Sequence, residues 1–458
     1  MNNAVNEYYK GIKNKKVFFL GAGLSHQQLI PKFIDCGASV TLCDIRNEDA
    51  LKDYLNSLGK NIELNLNLGS SYLDYILSAD IIFRTPGIDY TKPQIVEAVN
   101  SGITVTSEIE MFFEFCPCPT IGITGSDGKT TTSSLVAAIL EKTGYRIWLG
   151  GNIGRPLFPV VEQIHKDDIA VIELSSFQLI SMRRSPFISV ITNITPNHLD
   201  HHKDMKEYID AKRNILLYQN SNSKAVLNKE NEITKGLSKD VKGELLFFGR
   251  TPVENGAYID NNTLLSVENG RTSRVMELTG LNLLGEHNKE NIAAAYAAVR
   301  SLVNDSVFTD VAKNFTGVEH RIEFIRELNG VKWYNDSIAT SPTRTIAGLC
   351  SFENKIVLIA GGSDKGLSYQ PLGEYLSKYV KCMYLSGPTA TAIAAAVDEY
   401  EESPDIIFTE NLKDSVSRAF IYAKPGDVVM LSPASPSFDF YSNFEERGRH
   451  FKQLVNSL

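Results

Sequence analysis

The sequence predicts an α/β protein of three domains, and three observations carry that prediction. The 458 residues suffice for about three domains at roughly 150 residues each. Short apolar runs ending in Gly, Asp or Ser recur along the whole chain, each followed by an amphipathic stretch of helical length. Parallel sheets with helical crossovers impose that alternation. Composition agrees: 43% apolar and 22% charged residues are ordinary for a globular chain and exclude a disordered, collagenous or fibrous one.

In chain order, the first runs are Val17-Phe-Phe-Leu20, Val40-Thr-Leu-Cys43 and Ile81-Ile-Phe83, each stopping at a polar or glycine-rich corner of the kind where such sheets bind ligands. A second series comprises Thr120-Ile-Gly-Ile-Thr124, Ile169-Ala-Val-Ile-Glu173 and Ser189-Val-Ile-Thr192. Residues 228–281 are more polar, and the turn pairs Asn255-Gly256, Asn261-Asn262 and Asn269-Gly270 predict short antiparallel strands or an insertion. The Ala-rich segment 288–303 predicts a helix that closes the central domain. The last series is Val331-Lys-Trp-Tyr334, Ile356-Val-Leu-Ile-Ala360, Met383-Tyr-Leu385 and Val428-Val-Met-Leu431. Boundaries near 108 and 318 divide the chain into 1–107, 108–317 and 318–458. It shows no repeat at solenoid period and no low-complexity segment.

Charge narrows the function. Lys plus Arg number 46 against 54 Asp plus Glu, a net charge of −8, which has the wrong sign for a general polyanion binder and argues against nucleic acid. Any phosphate must be met locally, by a loop or a helix end. No run approaches the roughly 18 apolar residues of a membrane span, and residues 17–24 end in glycine-rich sequence rather than a small-residue cleavage site. The six cysteines, Cys36, Cys43, Cys116, Cys118, Cys350 and Cys382, match no metal or redox spacing and read as reduced thiols of a cytoplasmic protein.

Chemistry concentrates after the strands. Gly122-Ile-Thr-Gly125-Ser126-Asp127-Gly128-Lys129-Thr130-Thr131 lies between a strand and a helix, so its amides and Lys129 would face a nucleotide's phosphates at a positive helix end, with Thr130 on Mg²⁺. Ile123 stands where the strict phosphate-loop pattern has its first glycine; the alternative is a plain glycine-rich turn. Gly21-Ala-Gly23-Leu24-Ser25-His26 lacks the third glycine of the dinucleotide fingerprint, although Asp44 lies at the distance of a ribose-binding acid. A nicotinamide cofactor, another nucleotide and a structural turn all remain open there. With Arg46 and Arg84-Thr-Pro-Gly87 the segment outlines a pocket that fits a nucleotide diphosphate.

Glu173 ends its strand beside the phosphate loop, where a second metal ligand belongs. Asn193-Ile-Thr-Pro-Asn197-His198-Leu-Asp200-His201-His202 gathers three of the eight histidines; His198 reads as a partner for Mg²⁺ or Mn²⁺, His201 and His202 as solvated loop residues. Gly317-Val-Glu-His320-Arg321 and Asn335-Asp336-Ser337 offer a guanidinium for phosphate and an acid for a ribose or metal. Gly361-Gly-Ser-Asp-Lys365-Gly366 puts a lysine at a sheet's carboxyl edge, a place for a charged-substrate clamp. By itself Lys212, in Asp210-Ala-Lys-Arg213, reads as a helix-surface lysine.

Together these motifs resemble the Mur ligase superfamily, and within it the D-glutamate-adding branch. The resemblance covers essentially the whole chain. Its further marks are Gly150-Gly-Asn152-Ile-Gly154, Glu173-Leu-Ser175-Ser-Phe-Gln178, Ala211-Lys212, His287-Asn288 with Asn291, Ala339-Thr340, and Ser435-Pro-Ser437-Phe-Asp439 with Asn443-Phe444-Glu445. Gly-Gly-Asn-Ile-Gly, Ser-Phe-Asp and the absence of an Asp-Asn-Pro-Arg motif select the branch. The resemblance implies an N-terminal Rossmann-like domain for a UDP-linked substrate, a central P-loop ATPase-like domain and a C-terminal Rossmann-like domain. It further implies a cytoplasmic, monomeric enzyme of peptidoglycan precursor synthesis that uses ATP to join D-glutamate (D-Glu) to UDP-N-acetylmuramoyl-L-alanine (UDP-MurNAc-L-Ala) through an acyl phosphate.

Residue by residue, the resemblance implies that Gly125, Ser126, Asp127, Gly128, Lys129, Thr130 and Thr131 hold ATP's phosphates, and that Asn288, Asn291, His320, Arg321 and Asp336 meet its base and ribose. The UDP-linked substrate falls to Gly23, Leu24, Ser25, Asp44, Arg46, Gly87, Asn152 and His198, and the amino acid to Ser175, Thr340, Lys365, Ser437 and Phe444. Two Mg²⁺ ions are implied, with Thr130, Glu173, His198 and Lys212 as ligands, Lys212 carrying a CO₂-derived carbamate; Lys129, His198 and Lys212 are the implied catalytic residues. The chain departs from the pattern at Asp127, where Asn is commoner, at Ile338, where many members have Lys, and at Ser341, where they have Asn. The rival readings are another Mur-type or folylpolyglutamate-synthetase-like ligase, a non-catalytic nucleotide-binding module and a dehydrogenase.

Overall fold

In the structure, a computed structural model that describes residues 3–59, 62–197, 201–283 and 285–458, the chain forms three sheets. Two of them lie in one compact unit, residues 1–279 with 289–312, and the third in a second unit, residues 280–288 with 313–458.

The first sheet runs in the order Asn65–Leu68, Ser39–Asp44, Lys16–Leu20, Ile81–Arg84, Thr104–Thr106, all parallel. Winding reverses between Lys16–Leu20 and Ile81–Arg84, so the loops at their carboxyl ends part and leave a crevice. Gly21 turns out of the first of these at φ +93°, and a Cβ there would stand 2.4 Å from Thr85 Oγ1. Only glycine permits that approach.

The second sheet has nine strands. Its centre is Thr120–Thr124, flanked by Ile169–Glu173 on one side and Ile188–Ile191 on the other; every residue of the three is buried, as parallel strands covered on both faces require. Ile147–Gly151 forms one edge. On the far side Lys224–Asn228, Glu244–Gly249 and Gly256–Asp260 continue in parallel, and Thr263–Glu268 and Arg271–Glu277 complete the sheet antiparallel. Residues 228–281 thus extend the central sheet rather than standing apart as an insertion. The expected turns at Asn261-Asn262 and Asn269-Gly270 have positive φ at both residues, the requirement of a two-residue hairpin turn. The Ala-rich helix is Glu286–Val299.

In the second unit Glu323–Leu328 and Val331–Asn335 pair antiparallel, and Val428–Leu431, Ile356–Gly361, Val380–Ser386 and Asp405–Phe408 follow in parallel. Trp333 is fully buried in its core.

One hydrophobic cluster joins the first two sheets. Tyr9, on the helix Asn3–Gly11, stacks on Phe158 with centroids 5.9 Å apart and meets Phe33 edge-on; Lys32 Nζ lies 2.6 Å from Glu162 Oε2. Glu108 begins the helix Glu108–Phe115, capped by Ser107. Its Oε1 accepts the N–H groups of both Leu157 and Phe158 at 2.7 Å, tying that helix to the segment after Gly150-Gly-Asn152.

Burial raises the Glu108 carboxyl to about 7, against the lowering effect of the two amides. The folded state therefore binds this proton more tightly than the unfolded one. The resulting stability is complete below the ordinary carboxyl range and is lost as pH rises through about 7. Glu108→Gln keeps an acceptor oxygen and removes the titration. Thermal melts should show the variant gaining on the wild type between about pH 5 and about pH 8; a difference that does not move with pH is the contrary result.

Candidate active site

The phosphate-loop sequence forms the turn between the strand Thr120–Thr124 and the helix Lys129–Lys142. Gly125 has φ +154° and Gly128 φ +79°; a Cβ on the first would lie 1.9 Å from Thr192 Oγ1, and on the second 2.2 Å from Asn291 Oδ1. The Ser126 and Asp127 N–H groups donate to Asn193 O and Oδ1 at 2.9 Å. Ser126 Oγ meets Thr195 O and Tyr208 Oη, each at 2.9 Å, so its hydroxyl braces the loop from within. Lys129 reaches back, its Nζ donating to Gly125 O (3.0 Å) and Ser126 O (2.9 Å). The first turn, with Thr130 and buried Thr131, presents the N–H groups that an α-helix leaves unsatisfied at its start, a ready anion site.

Glu173 is 1% exposed at the end of its strand. Asn152 holds it twice, through Nδ2 to Oε1 at 2.7 Å and through its backbone N–H to the Glu173 carbonyl at 2.8 Å. Glu173 Oε2 has no hydrogen-bond partner among the described residues. A buried carboxylate oxygen left open beside a phosphate loop suits a hard cation. Ser175 caps the helix Ser176–Leu179 in a reciprocal capping box with Gln178.

Lys212 is not a surface lysine. It is 1% exposed on the helix Met205–Leu217, with Nζ 2.8 Å from Gly125 O, 3.3 Å from Thr124 Oγ1 and 4.7 Å from the Tyr208 ring centroid. Burial and the neighbouring Lys129 hold its amine well below the usual lysine range, opposed by Glu173 and Asp127. Nor is His202 solvated: it is buried, stacked at 5.0 Å on Phe177, whereas His201 is exposed. His198 lies outside the described residues.

Gly23, Leu24 and Ser25 line a cavity of about 250 Å³ together with Arg84, Glu108 and Asn152. Asp44 is buried at the end of Ser39–Asp44. Against the cost of burial, Arg46 and the Ala22 amide hold its carboxyl down to about 2; both its oxygens accept from Arg46, and Oδ2 also from Ala22 N–H. Gly87 lines an adjoining cavity of about 310 Å³ with Arg84, Tyr90, Phe177 and His202.

In the second unit, Asn288 is buried on the first turns of Glu286–Val299. His320 is buried at φ +66°, its Nδ1 2.8 Å from Asn335 Nδ2 and its ring 6.3 Å from Phe444, the first residue of Phe444–Asn456. Arg321 is exposed. Asp336 is buried, accepting from Ser432 Oγ at 2.7 Å and Ile322 N–H at 3.2 Å; burial raises it to about 7, although these bonds and Arg321 oppose the shift. Thr340 is half-buried, Ser437 buried and Lys365 exposed, with Lys365 Nζ 5.9 Å from the Phe438 ring.

The structure thus gathers the phosphate loop, Glu173, Asn152, Lys212 and Asn291 at adjacent strand ends of the central sheet. Sequence reasoning placed Asn152 only on the sugar side and did not single out Tyr208. The signal was present: Tyr208, Ala211, Lys212, Ile215 and Leu216 are the buried residues of their helix, a helical spacing in which the lysine occupies an apolar position.

Comparison with known proteins agrees along the whole chain. Family models match residues 15–107 (Mur ligase MurD-like, N-terminal domain), 123–299 (Mur ligase middle domain) and 320–435 (Mur ligase, glutamate ligase domain). Proteins named UDP-N-acetylmuramoylalanine–D-glutamate ligase from Acetivibrio thermocellus and Clostridium botulinum strain 657 are 48% and 45% identical to it, each alignment spanning all of both chains. Among solved structures, a UDP-N-acetylmuramate-alanine ligase, MurC, of Thermotoga maritima is similar at TM-score 0.57 and 18% identity over 97% of this chain and 100% of its own. MurF of Acinetobacter baumannii gives 0.58 and 16% over 98% and 92%; these two speak for the fold. With full-length relatives at such identity and three successive domain models of one kind, the chain belongs to the Mur ligase family.

Proposed function

We propose that this chain is the ATP-dependent ligase that adds D-glutamate to UDP-N-acetylmuramoyl-L-alanine in peptidoglycan precursor synthesis, a cytoplasmic monomer. The observation that carries the reading is the convergence of a phosphate loop, a buried carboxylate with an open oxygen and a buried lysine at the strand ends around Thr120–Thr124. A dehydrogenase or a passive nucleotide-binding module needs no such set, and relatives at 44–48% identity bear the D-glutamate ligase name.

A carboxylate is a poor acyl donor, so the alanyl carboxylate first attacks ATP's γ-phosphorus: an O–P bond forms, the bond to the bridging oxygen breaks and ADP leaves. The amine of D-glutamate then attacks the acyl carbon, phosphate departs and the nitrogen gives up a proton. For the first step Lys129 and the amide-bearing helix start offset charge on the transferring group. Thr130, Glu173 and His198 are the residues for Mg²⁺, which neutralises phosphate charge when bound. Lys212, as a carbamate, would add an anionic ligand on the same side. A buried amine that is readily neutral suits addition to CO₂, and a neutral or anionic group is tolerated beside cations where an ammonium is repelled.

The cavity beside Gly23, Leu24, Ser25 and Asn152 receives the UDP-linked substrate, with Asp44, Arg46 and Gly87 at its approaches. Asn288, Asn291, His320, Arg321 and Asp336 serve the adenine nucleotide. Thr340, Lys365, Ser437 and Phe444, with Ser175, serve D-glutamate; Lys365 supplies the charge for a carboxylate.

Phosphate release from ATP with UDP-N-acetylmuramoyl-L-alanine tests the reading: D-glutamate should support it, and L-glutamate and meso-diaminopimelate should not. Preference for another amino acid would move the chain to a different branch. Lys129→Ala should abolish turnover in a folded protein; wild-type rates would overturn the phosphate-loop role. Lys365→Ala should raise the KM for D-glutamate far more than that for ATP, because a lost charge-assisted bond costs about 1.5–3 kcal/mol, roughly tenfold or more. Equal effects would assign Lys365 to the nucleotide. Lys212→Ala should be nearly inactive and partly restored by acetate, whereas Lys212→Arg fills the space, keeps the charge and should not respond. Normal activity of Lys212→Ala in carbonate-free buffer would refute the carbamate.

A further inference from the structure

A hydrogen-bonded chain that the mechanism does not use crosses the elements of the central site. Glu207 Oε2 lies 3.3 Å from His202 Nδ1, and His202 Nε2 lies 2.8 Å from Ser176 Oγ. The imidazole is flat against Phe177, with 2° between the ring planes, and its centroid is 5.3 Å from that of Tyr208. Tyr208 in turn bonds Ser126 of the phosphate loop and carries Lys212 over its ring. One imidazole therefore touches the segment after Glu173, the helix of Lys212 and, through Tyr208, the phosphate loop.

The chemistry of the three groups fixes their roles. A carboxylate accepts, so His202 Nδ1 donates to Glu207, and Nε2 of the neutral imidazole tautomer that this bond selects accepts from the Ser176 hydroxyl. Glu207 is itself anchored by the Lys203 N–H at 2.8 Å. The Ser-His-Glu order matches that of an activated nucleophile, but Ser176 is 2% exposed and offers no room for a substrate carbonyl. A phenylalanine could fill the place of His202 and stack on Phe177; it could not bond Ser176.

We propose that His202 is a positioning residue: oriented by Glu207, it fixes Ser176 and thereby holds the Glu173 segment against Tyr208 and the phosphate loop. The inference rests on the assignment of that loop to ATP. His202→Gln carries an amide at the reach of Nε2 and retains the Ser176 bond; His202→Asn carries one at the reach of Nδ1 and loses it.

The test is the dissociation constant of Mg-ATP for the full chain, read with a fluorescent ATP analogue, beside the melting temperature. His202→Asn, His202→Phe and Ser176→Ala should each weaken binding about tenfold, the worth of one buried hydrogen bond, and His202→Gln by much less. The double variant Ser176→Ala/His202→Asn should be no worse than either single one, since both cut the same link. Wild-type affinity in His202→Phe, or independent multiplication of the two effects, would overturn the proposal. Should the histidine variants fail to fold, wild-type affinity in Ser176→Ala overturns it alone. Wild-type chain that binds Mg-ATP yet releases no phosphate with any acceptor would refute the ligase reading, and the same affinities would still decide the role of His202.

Discussion

The central site depends on a backbone approach that tolerates no side chain. Because Gly125 lies against Thr192 so closely that a Cβ would stand 1.9 Å from its hydroxyl oxygen, the loop after Thr120–Thr124 can hang on Asn193 and turn its carbonyls inward. Two lysines then converge on one of those carbonyls, Lys129 at 3.0 Å and Lys212 at 2.8 Å from Gly125 O. Burial, reinforced by the nearby charge of Lys129, holds the Lys212 amine well below the usual lysine range. A side chain at this glycine would displace the carbonyl on which the two lysines converge.

Much of this is legible in the sequence. Apolar runs locate the central strands of each of the three sheets, because strands buried on both faces leave an uninterrupted apolar signature; border strands such as Asn65–Leu68, Thr104–Thr106 and Asp405–Phe408, which are largely exposed or half-buried, leave none and go unread. The phosphate loop and Glu173 are legible for a related reason, since chemistry at strand ends follows directly from strand assignment. Harder to read are residues whose burial contradicts their type. Lys212 sits in an apolar helical register that a residue-by-residue reading discounts in favour of lysine's usual exposure. His202 lies in a loop without periodicity, and nothing local announces that Phe177 and Ser176, some 25 positions earlier in the chain, will enclose it. Residues 228–281 mislead differently: polar composition and asparagine turns mark the antiparallel strands at the sheet's end but hide the parallel strands that join them to it.

Buried carboxyls without a cation in direct contact recur at joints. Glu108 ties the helix leaving the first sheet to the segment that carries Asn152, and Asp336 ties Val331–Asn335 to Ser432 after Val428–Leu431. Backbone amides and a hydroxyl satisfy them, bonds that an un-ionised acid can also accept. Such joints are specified by direction and distance rather than by net charge, so salt screens them little. In the first unit the aromatic packing of Tyr9, Phe33 and Phe158 adds a contact of the same insensitive kind.

The nine-stranded sheet ends on both sides in ways that bear on the chain's company with itself. At one border the strand Arg271–Glu277 points its first four residues, Arg271 through Arg274, into solvent, and two of those four are arginines. At the other, Ile147–Gly151 is overlaid by the segment around Arg155, so tightly that a Cβ at Gly150 would stand 2.5 Å from Leu157 Cγ. A border of exposed charge repels a docking strand, and the segment bridged at Gly150 occupies part of the row that a second chain would pair with. The largest sheet of the molecule is thereby poorly suited to templating the stacking of copies, a safeguard for a sheet whose interior strands, once exposed, would be apt to aggregate.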